Sequence, residues 1–366
     1  MTTIERDKPK LTEQVDIIED DLLEVYGEEV FNTLLKDHTT QKNIFWATND
    51  YEQLGEAYGY DKPILPELIT GENNHIIMPR VKKEKALQTA RAKDKAEVFT
   101  PSWVCNAQNN LVDEAWFGRK NVFNTENTSK HTWRVNRKKI EFPEGKTWKD
   151  YVKATRMEIT CGEAPYLVSR YDTTTGKYIP LERRIGILDR KLRVVSENTD
   201  TSGEWLEWAQ VAYKNIYGYE WQGDNLLLAR EALLWTFIEN YKAKFNKSPL
   251  LKSINYIAYI VSWNIWQMDG LKCVVPDSCH ITTVCTNQKE IDEAKNDPIS
   301  LMFPDEAVPV PEPKFEEQEC LGCIKDDILR HNGIPCLIRD WGVKDREKQK
   351  IEFRSLINNT NEPNEN

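Results

Sequence analysis

The stretch RMEITCGEAPYLVSRYD, residues 156–172, decides the fold prediction for this chain. It begins with a short run that favours a β-strand, residues 157–160, and continues through a Cys-Gly pair. The apolar residues that follow Pro165 predict the start of a helix. Strand, loop and helix in this order outline a nucleotide site, but such loops usually contain two or three glycines and this one has only Gly162. Three interpretations of the stretch are therefore open: a functional cofactor-binding loop, a degenerate one or a simple turn.

Strand and helix patterns alternate after this stretch. We predict strands at residues 191–196 and 215–221, and helices at 204–214, 224–244 and in the apolar run that begins at 254. Alternation of this kind favours a mostly parallel sheet flanked by helices. The sequence therefore predicts an α/β fold.

The remaining segments suggest four regions. Apolar residues at helical spacing predict one or two helices within residues 11–37, and a loop rich in Pro, Gly and Asn follows at 61–78. The predicted regions are a helical N-terminal region (1–79), a core (80–275), a Cys-containing extension (276–345) with an acidic, mobile insertion at 287–319, and a partly disordered tail (346–366).

The charge distribution is uneven. A net charge of −10 argues against a protein that coats nucleic acid in general. However, residues 80–95 hold seven Lys/Arg against two acids, and residues 130–156 hold nine against three. These runs are either a DNA-binding surface or solvated helix faces. The candidate DNA contacts are Lys82, Lys83, Arg137, Lys138 and Lys139.

The chain lacks the sequence features of a membrane protein. No window of 18 apolar residues occurs, and the N-terminus is charged, so we expect neither a membrane span nor a signal peptide. A cytoplasmic location is the resulting expectation. The eight cysteines are then expected to be reduced thiols or metal ligands rather than disulfides.

Four short segments carry candidate binding chemistry. In chain order they are Phe99-Thr100-Pro101 before a helix that Thr100 or Ser102 is predicted to cap, the loop at 158–167, Glu220 beside Trp221, and Asp269 before Gly270. Taken singly, these segments are equally well the start of a helix, a turn, a strand-end carboxylate and a second turn.

Taken in this order, the four segments resemble the adenine-N6 DNA methyltransferases of restriction-modification systems, and in particular phage and bacterial methylase subunits. That family has a Phe-Thr-Pro segment, which residues 99–101 match. Its donor loop reads Asp-Pro-x-Cys-Gly-x-Gly-x-Phe-Leu, and residues 158–167 match the acid, Cys, Gly, aromatic and Leu positions. The resemblance covers residues 96–271, about half of the chain.

The resemblance implies a methyltransferase-like (Rossmann-like) fold with S-adenosylmethionine as cofactor. Glu220 would accept the ribose diol and Asp269 the adenine amine, while Glu158 would balance the positive charge of the donor. Tyr166, Tyr219 and Trp221 would flank the adenine. The implied cofactor-binding residues are Phe99, Thr100, Pro101, Glu158, Cys161, Gly162, Glu163, Tyr166, Glu220, Trp221 and Asp269.

The catalytic tetrapeptide of the family, [Asn/Asp/Ser]-Pro-Pro-[Tyr/Phe/Trp], is missing. No Pro-Pro pair occurs in the chain. In the family this motif accepts hydrogen bonds from the flipped adenine and stacks on the base. The weak substitutes are Asp277, Asp340 and Trp341.

The C-terminal third contains a candidate metal site. Cys320 and Cys323 form a Cys-x-x-Cys pair, and His331, Cys336 and Cys279 are available to complete a tetrahedral zinc site. The alternative is a set of unrelated thiols.

These observations predict a methyltransferase that modifies adenine N6 in double-stranded DNA, which it binds weakly without a partner subunit. The competing prediction is a degenerate, accessory or decoy module that binds donor, DNA or a partner without transferring a methyl group. No membrane partner is expected.

Overall fold

The computed structural model describes residues 15–94, 97, 99–298, 302 and 309–358. The chain has a mixed α/β fold with small sheets, so the predicted α/β class is confirmed. It divides into two compact units: Met1–Gly270 with Leu337–Ile351, and Leu271–Cys336 with Glu352–Asn366. The predicted N-terminal region and most of the predicted core belong to the first unit.

The first unit contains most of the regular structure. Its helices are α1 (Glu19–Tyr26), α2 (Glu28–Leu35), α3 (Lys85–Asp94), α4 (Ser102–Phe117), α5 (Trp148–Lys153), α6 (Ile187–Asn198), α7 (Ser202–Lys214), α8 (Gly223–Phe245) and α9 (Leu251–Asn264). The strands of the chain are β1 (Asn124–Asn127), β2 (Thr132–Val135), β3 (Arg156–Glu158), β4 (Ile216–Glu220), β5 (Ile265–Gln267), β6 (Thr282–Cys285), β7 (Phe315–Gln318), β8 (Leu337–Arg339) and β9 (Lys350–Glu352).

A three-stranded parallel sheet, in the order β3-β4-β5, lies at the centre of the first unit. Helices α6 and α7 connect β3 to β4, and helices α8 and α9 connect β4 to β5. Parallel neighbours require such crossovers. Because all three strands run the same way, their carboxyl ends lie at one edge of the sheet.

Helix α8 is the most deeply buried element of the first unit. Every residue from Gly223 to Tyr241 is buried, including charged side chains whose partners lie outside the helix. The guanidinium group of Arg230, for example, donates to the carbonyl oxygens of Ile265 at 2.8 Å and Ser262 at 3.0 Å. A helix that is buried on all sides forms the centre of a core, and the sheet edge is therefore held by a rigid element.

Two predicted elements differ in the structure. Residues 191–196 belong to α6 rather than to a strand, because Leu188, Leu192 and Val195 recur at helical spacing and are all buried. No helix starts after Pro165. The amides of residues 167 and 168 instead both bond to the carbonyl oxygen of Ala164 in a turn.

The N-cap of α4 also differs from the one that the sequence predicts. Pro101 occupies the N-cap position, and no side chain caps the helix. The amide of Ser102 donates instead to Asp172 Oδ2 at 2.7 Å. A carboxylate from a distant loop thus replaces the local hydroxyl, which tethers the start of α4 to the segment after the Cys-Gly loop.

The second unit is built around an antiparallel pair, β6 with β7. Its helices are α10 (Gln288–Lys295), α11 (Leu321–Lys325) and α12 (Ser355–Asn358). The predicted acidic insertion therefore contains a helix and a strand, while residues 299–301 and 303–308 lie outside the described ones. The tail that was predicted to be partly disordered contains β9 and α12, and its residues 359–366 lie outside the described residues. In the part of the chain that is described, no helix has the length and apolar character needed to cross a bilayer.

Candidate functional site

Three acidic side chains lie at the carboxyl edge of the parallel sheet. Glu158 is the last residue of β3, Glu220 is the last residue of β4, and Asp269 follows β5 by two residues. All three are buried. Ligands of open parallel sheets bind outside the carboxyl ends of the strands. The acids that the sequence analysis selected therefore converge on the edge where a nucleotide ligand is expected.

The Cys-Gly loop folds back over the end of β4. The backbone φ is positive at Thr160 (46°), Gly162 (53°) and Ala164 (59°). The amide of Cys161 donates to the carbonyl oxygen of Tyr219 at 2.8 Å, and the amide of Gly162 donates to Glu220 Oε2 at 2.8 Å. Non-glycine residues at positive φ are strained, and such strain concentrates at functional sites. Hydrogen bonds to β4 thus hold the loop in a strained backbone conformation.

The carboxylate of Glu158 binds the backbone of the Cys-Gly loop. Its two carboxylate oxygens accept hydrogen bonds from the amides of Tyr166 at 3.3 Å and Leu167 at 3.1 Å. Burial raises the pKa of Glu158 well above its ordinary value, even though these amide hydrogen bonds act in the opposite direction. Both oxygens bind the backbone of the Cys-Gly loop itself, eight and nine residues further along the chain. We therefore assign Glu158 to positioning the loop.

Glu220 has a different environment. Besides Gly162, the amide of Gln222 approaches Oε1 at 3.3 Å. Burial raises the pKa of Glu220 to about 7, and nearby Asp224 and Glu97 contribute repulsion in the same direction. Each carboxylate oxygen can accept more than one hydrogen bond, so Glu220 retains acceptor capacity beyond these two amides.

Glu163 connects the loop to the segment that precedes α3. Its Oε1 accepts from the amide of Arg80 at 2.7 Å, and its Oε2 accepts from the hydroxyl of Tyr171. Burial raises the pKa of Glu163 to about 7. This carboxylate holds protein groups on both sides, an arrangement that suits the packing of the loop better than direct contact with a ligand.

The Phe-Thr-Pro segment packs against the same loop. A Cβ atom at Gly162 would lie 3.5 Å from Phe99 Cε1, and the hydroxyl of Thr173 donates to the carbonyl oxygen of Thr100 at 3.1 Å. The Tyr166 hydroxyl interacts with the Thr100 side chain. Two segments that are about 60 residues apart in sequence thus form one wall of the candidate site.

Aromatic residues surround the ends of β4 and β5. The indole of Trp221 donates to the hydroxyl of Tyr60 at 3.1 Å. The ring of Tyr219 lies over Gly270, where a Cβ atom would come within 2.5 Å of the ring. Glycine is therefore required directly after Asp269. Tyr219 and Trp221, which the sequence analysis selected, thus lie at the ends of these strands, and Tyr60 was not predicted.

The sequence analysis missed the contribution of the N-terminal region. Phe45 exchanges two hydrogen bonds with the side chain of Gln267, at 3.0 and 2.8 Å, and the carbonyl oxygen of Trp46 accepts from the amide of Gly223 at 3.0 Å. A Cβ atom at Gly223 would lie 2.1 Å from the carbonyl oxygen of Phe45. The glycine at the start of α8 was the only signal of this close approach.

A buried ion network lies next to Glu220. Asp224 pairs with Lys83 at 2.8 Å and with Arg91 at 3.0 Å, and it accepts from the hydroxyl of Tyr51 at 2.8 Å. Burial alone would raise the pKa of Asp224, but Arg91 and Lys83 hold it well below its usual range. The side chain of Lys83 is only 2% exposed, so we omit it from any DNA surface.

The other candidate DNA contacts lie at the surface. Lys82 is about half exposed and pairs with Asp16 at 3.2 Å. The side chains of Arg137, Lys138 and Lys139 are exposed just after the β1–β2 hairpin. The turn of that hairpin carries His131, whose ring lies 4.2 Å from that of Trp103 in the first turn of α4. The basic hairpin therefore adjoins the helix that starts at the Phe-Thr-Pro segment.

The weak catalytic candidates are not brought to this edge. The indole of Trp341 donates to Asn264 Oδ1 at 2.8 Å, and the Asn264 amide donates to the carbonyl oxygen of Ile216 at 2.9 Å. Both contacts are at the amino ends of β4 and β5, roughly 13 Å from the carboxyl edge at the usual rise of a strand. Asp340 is exposed beside Trp341, and Asp277 is exposed in the second unit.

A second candidate site, the Cys/His cluster, lies within the second unit. It comprises Cys279, Cys320, Cys323 and His331, whose ligand atoms all lie within 4.8 Å of one another. The Sγ atoms of the three cysteines are each 3.6 Å from His331 Nδ1. Such a cluster can hold a metal ion. Cys336, which the sequence analysis also proposed, does not belong to it. That part of the prediction was wrong: the cluster has four ligands without Cys336, whose backbone bonds to Cys273 and Phe353.

Comparison of the chain with protein-family models, with curated proteins and with solved structures finds no match. Functional inference therefore depends on the chemistry of these two sites.

Proposed function

We propose that the protein is an S-adenosylmethionine-dependent DNA methyltransferase, acting on adenine N6 in a restriction-modification or phage DNA-modification system. One observation carries the proposal: the Cys161–Gly162 loop, the Phe99–Pro101 wall, Glu220 and Asp269 lie together at the carboxyl edge of a parallel sheet. A methyltransferase-like, Rossmann-related core requires this arrangement. Its cofactors are S-adenosylmethionine at the strand ends and zinc at the Cys/His cluster.

Each strand end has a separate task in this proposal. Glu220 accepts the two ribose hydroxyls, because it ends the central strand of the sheet directly beside the glycine of the loop and retains acceptor capacity. Asp269 accepts the adenine amine. Tyr219 and Trp221 flank the adenine ring, as aromatic side chains do for planar ligands. Bound donor supplies an electrophilic methyl group, and the protein residues orient it and exclude water.

A second candidate function is favoured by one specific observation. Asp340 and Trp341, the polar and aromatic pair that could replace the missing tetrapeptide, lie at the opposite edge of the sheet. A base held there would be far from the donor. This placement favours an accessory module that binds donor, DNA or a partner subunit without methyl transfer.

Two measurements separate these functions. Titration calorimetry with S-adenosylmethionine tests the donor site, and transfer of a labelled methyl group to mixed double-stranded DNA tests the reaction. Glu220→Ala should weaken donor binding about 10- to 150-fold, because a charge-assisted pair contributes roughly 1.5–3 kcal/mol. The matched control is Glu207→Ala, an exposed residue of α7.

The outcomes are distinct. Binding with transfer supports the enzyme, and binding without transfer supports the accessory module. Absence of heat at millimolar donor would contradict the enzyme and leave only an accessory module that binds DNA or a partner, and equal binding by Glu220→Ala and the control would contradict the role of Glu220.

A further inference from the structure

We infer that the Cys/His cluster is a closed, mononuclear, tetrahedral zinc site in which His331 binds the metal through Nδ1. Its role is to stabilise the folded second unit, and it takes no part in a reaction. The inference takes from the proposed function only the identity of the metal, and it does not depend on donor or DNA binding. Its ligands come from three places in the chain: Cys279 before β6, Cys320 and Cys323 after β7, and His331 beyond α11.

The distances fit one ion. In tetrahedral zinc sites the Zn–S bond is about 2.3 Å and the Zn–N bond is about 2.0–2.1 Å, so sulfur and nitrogen ligands lie roughly 3.6 Å apart. The three Sγ–Nδ1 distances are each 3.6 Å. The three Sγ–Nδ1 distances thus match those expected when His331 Nδ1 and three thiolates bind one tetrahedral ion.

A two-iron cluster does not fit the same atoms. In such a cluster the four protein ligands divide between two irons, so a histidine nitrogen would be close to one thiolate and distant from the other two. Here the nitrogen is equally close to all three sulfurs. The arrangement is that of a mononuclear site.

Four protein ligands also leave no open position. Catalytic zinc sites have three protein ligands and a water, whereas structural sites are closed by four. Three thiolates and one imidazole complete the shell of the ion. The centre therefore has no position at which a substrate or an activated water could bind.

Hydrogen bonds from neighbouring backbone and side-chain groups hold the ligands of the cluster in place. The amide of Asn332 donates to Cys320 Sγ at 3.3 Å. The Asn332 side chain also exchanges two hydrogen bonds with the backbone of His280, at 3.2 and 2.7 Å. A Cβ atom at Gly322 would lie 2.5 Å from the amide nitrogen of His331. Glycine is thus required within the Cys-x-x-Cys turn, and outer contacts fix the ligands as they do in known metal sites.

The second unit needs such a cross-link. The main apolar core cluster of the described residues contains no residue between 271 and 336. Small units without a sufficient core are stabilised by metals or disulfides. The metal would join Cys279, three residues before β6, to Cys320, two residues after β7, and so fasten the open end of the β6–β7 pair.

The test uses the full chain purified without chelator. We expect about one equivalent of zinc by elemental analysis and no iron or inorganic sulfide. Cys320→Ser and His331→Ala should lower the zinc content at least severalfold, whereas the control Cys336→Ser should retain it. Cobalt replacement should give the intense absorption of a tetrahedral thiolate site, and that absorption should weaken in Cys323→Ser.

Hydrogen exchange tests the folding role. Zinc removal should increase amide exchange within residues 271–336 while residues 216–265 remain unchanged, and added zinc should restore protection. Iron with sulfide, a Cys320–Cys323 disulfide, or full zinc content in Cys320→Ser would overturn the site. Unchanged exchange in the zinc-free protein would overturn the folding role. Calorimetry with S-adenosylmethionine on the same samples reports separately on the proposed function.

Discussion

The backbone amide of Gly162 donates a 2.8 Å hydrogen bond to Oε2 of Glu220. This bond joins the loop after one strand to the carboxylate at the end of its parallel neighbour. It places a carboxylate of the candidate donor site within hydrogen-bond distance of the only glycine of the loop. The same carboxylate has a pKa raised to about 7 by burial. Its charge therefore changes in the physiological range.

Donor affinity should depend on pH through Glu220. The ionised carboxylate is the better acceptor for the ribose hydroxyls, and with a pKa of about 7 it is mostly protonated at pH 6 and mostly ionised at pH 8. Asp224 and Glu97 face it and help to keep the pKa high. We expect affinity to fall about tenfold from pH 8 to pH 6, since each unit below the pKa reduces the ionised fraction about tenfold. Calorimetry at a series of pH values measures this.

The control for the pH dependence is built into the site. Glu163 has a pKa that is also raised to about 7, but its carboxylate is held by protein groups. Glu163→Gln should retain the dependence, whereas Glu220→Gln should bind weakly at every pH. A flat profile in the wild-type protein, or loss of the dependence in Glu163→Gln, would contradict the assignment.

Gly162→Ala should destabilise the loop. The residue has φ +53°, a left-handed conformation that costs L-residues about 1–2 kcal/mol. An added Cβ would meet Phe99 only at an ordinary contact distance, so the backbone is the source of the loss. Gly203→Ala, in the first turn of α7 where nothing lies within 4 Å, should instead stabilise the protein by up to about 1 kcal/mol. Urea unfolding compares the two, and changes of the same sign would contradict the prediction.

The substitution Lys83→Met should lower the free energy of unfolding of the first unit and leave DNA binding unchanged. Removal of one partner from a buried ion pair costs about 3–5 kcal/mol, and we expect the lower end because Arg91 still neutralises Asp224. The neighbouring control is Lys82→Met. Its pair with Asp16 is about half exposed on the lysine side, so its loss should be below about 1 kcal/mol. Equal losses in thermal unfolding would show that Lys83 is not buried as described.

Reversal of Lys138 and Lys139 to Glu should weaken DNA binding and its salt dependence. If both ammonium groups contact phosphate, the log–log slope of affinity against salt should become less steep by about 2, because each contact contributes about 0.9. The matched control reverses Lys344 and Lys348, which are also exposed, and it changes the net charge by the same amount. Filter binding at several salt concentrations measures the slopes. Equal slopes in the two variants would leave residues 137–139 as a solvated surface.

Local sequence signals predicted much of the architecture. The apolar periodicity of α7 and α8 predicted these helices almost to their ends, and the strand that ends at Glu220 was also predicted, whereas the helical run predicted from residue 254 begins three residues after the start of α9 and continues through β5. These elements have strong patterns because they are long or buried. The Val194–Val195 pair misled the prediction of a strand, since β-branched residues favour strands locally while the buried positions of α6 follow helical spacing.

The candidate site was predicted less completely than the fold. Reasoning from the family resemblance selected Glu220 and Asp269, and the structure places both at one edge because the carboxyl ends of parallel strands lie on the same side of a sheet. The same reasoning could not show that Lys83 is enclosed with Asp224, since a basic run has the same sequence whether it is buried or solvated. Nor could it choose among Cys279, Cys336 and His331 as partners of the Cys-x-x-Cys pair.

The sequence by itself determined the α/β class, the acids at the strand ends and the presence of enough thiols for a metal. Hydrophobic periodicity and residue chemistry are local properties, and they act within a few residues of the chain. Only the tertiary structure decided that Gly162 bonds to Glu220, that Trp341 lies at the opposite edge of the sheet, and that Cys336 is outside the metal cluster. These relations join residues up to about 77 positions apart, and such contacts depend on how the whole chain packs.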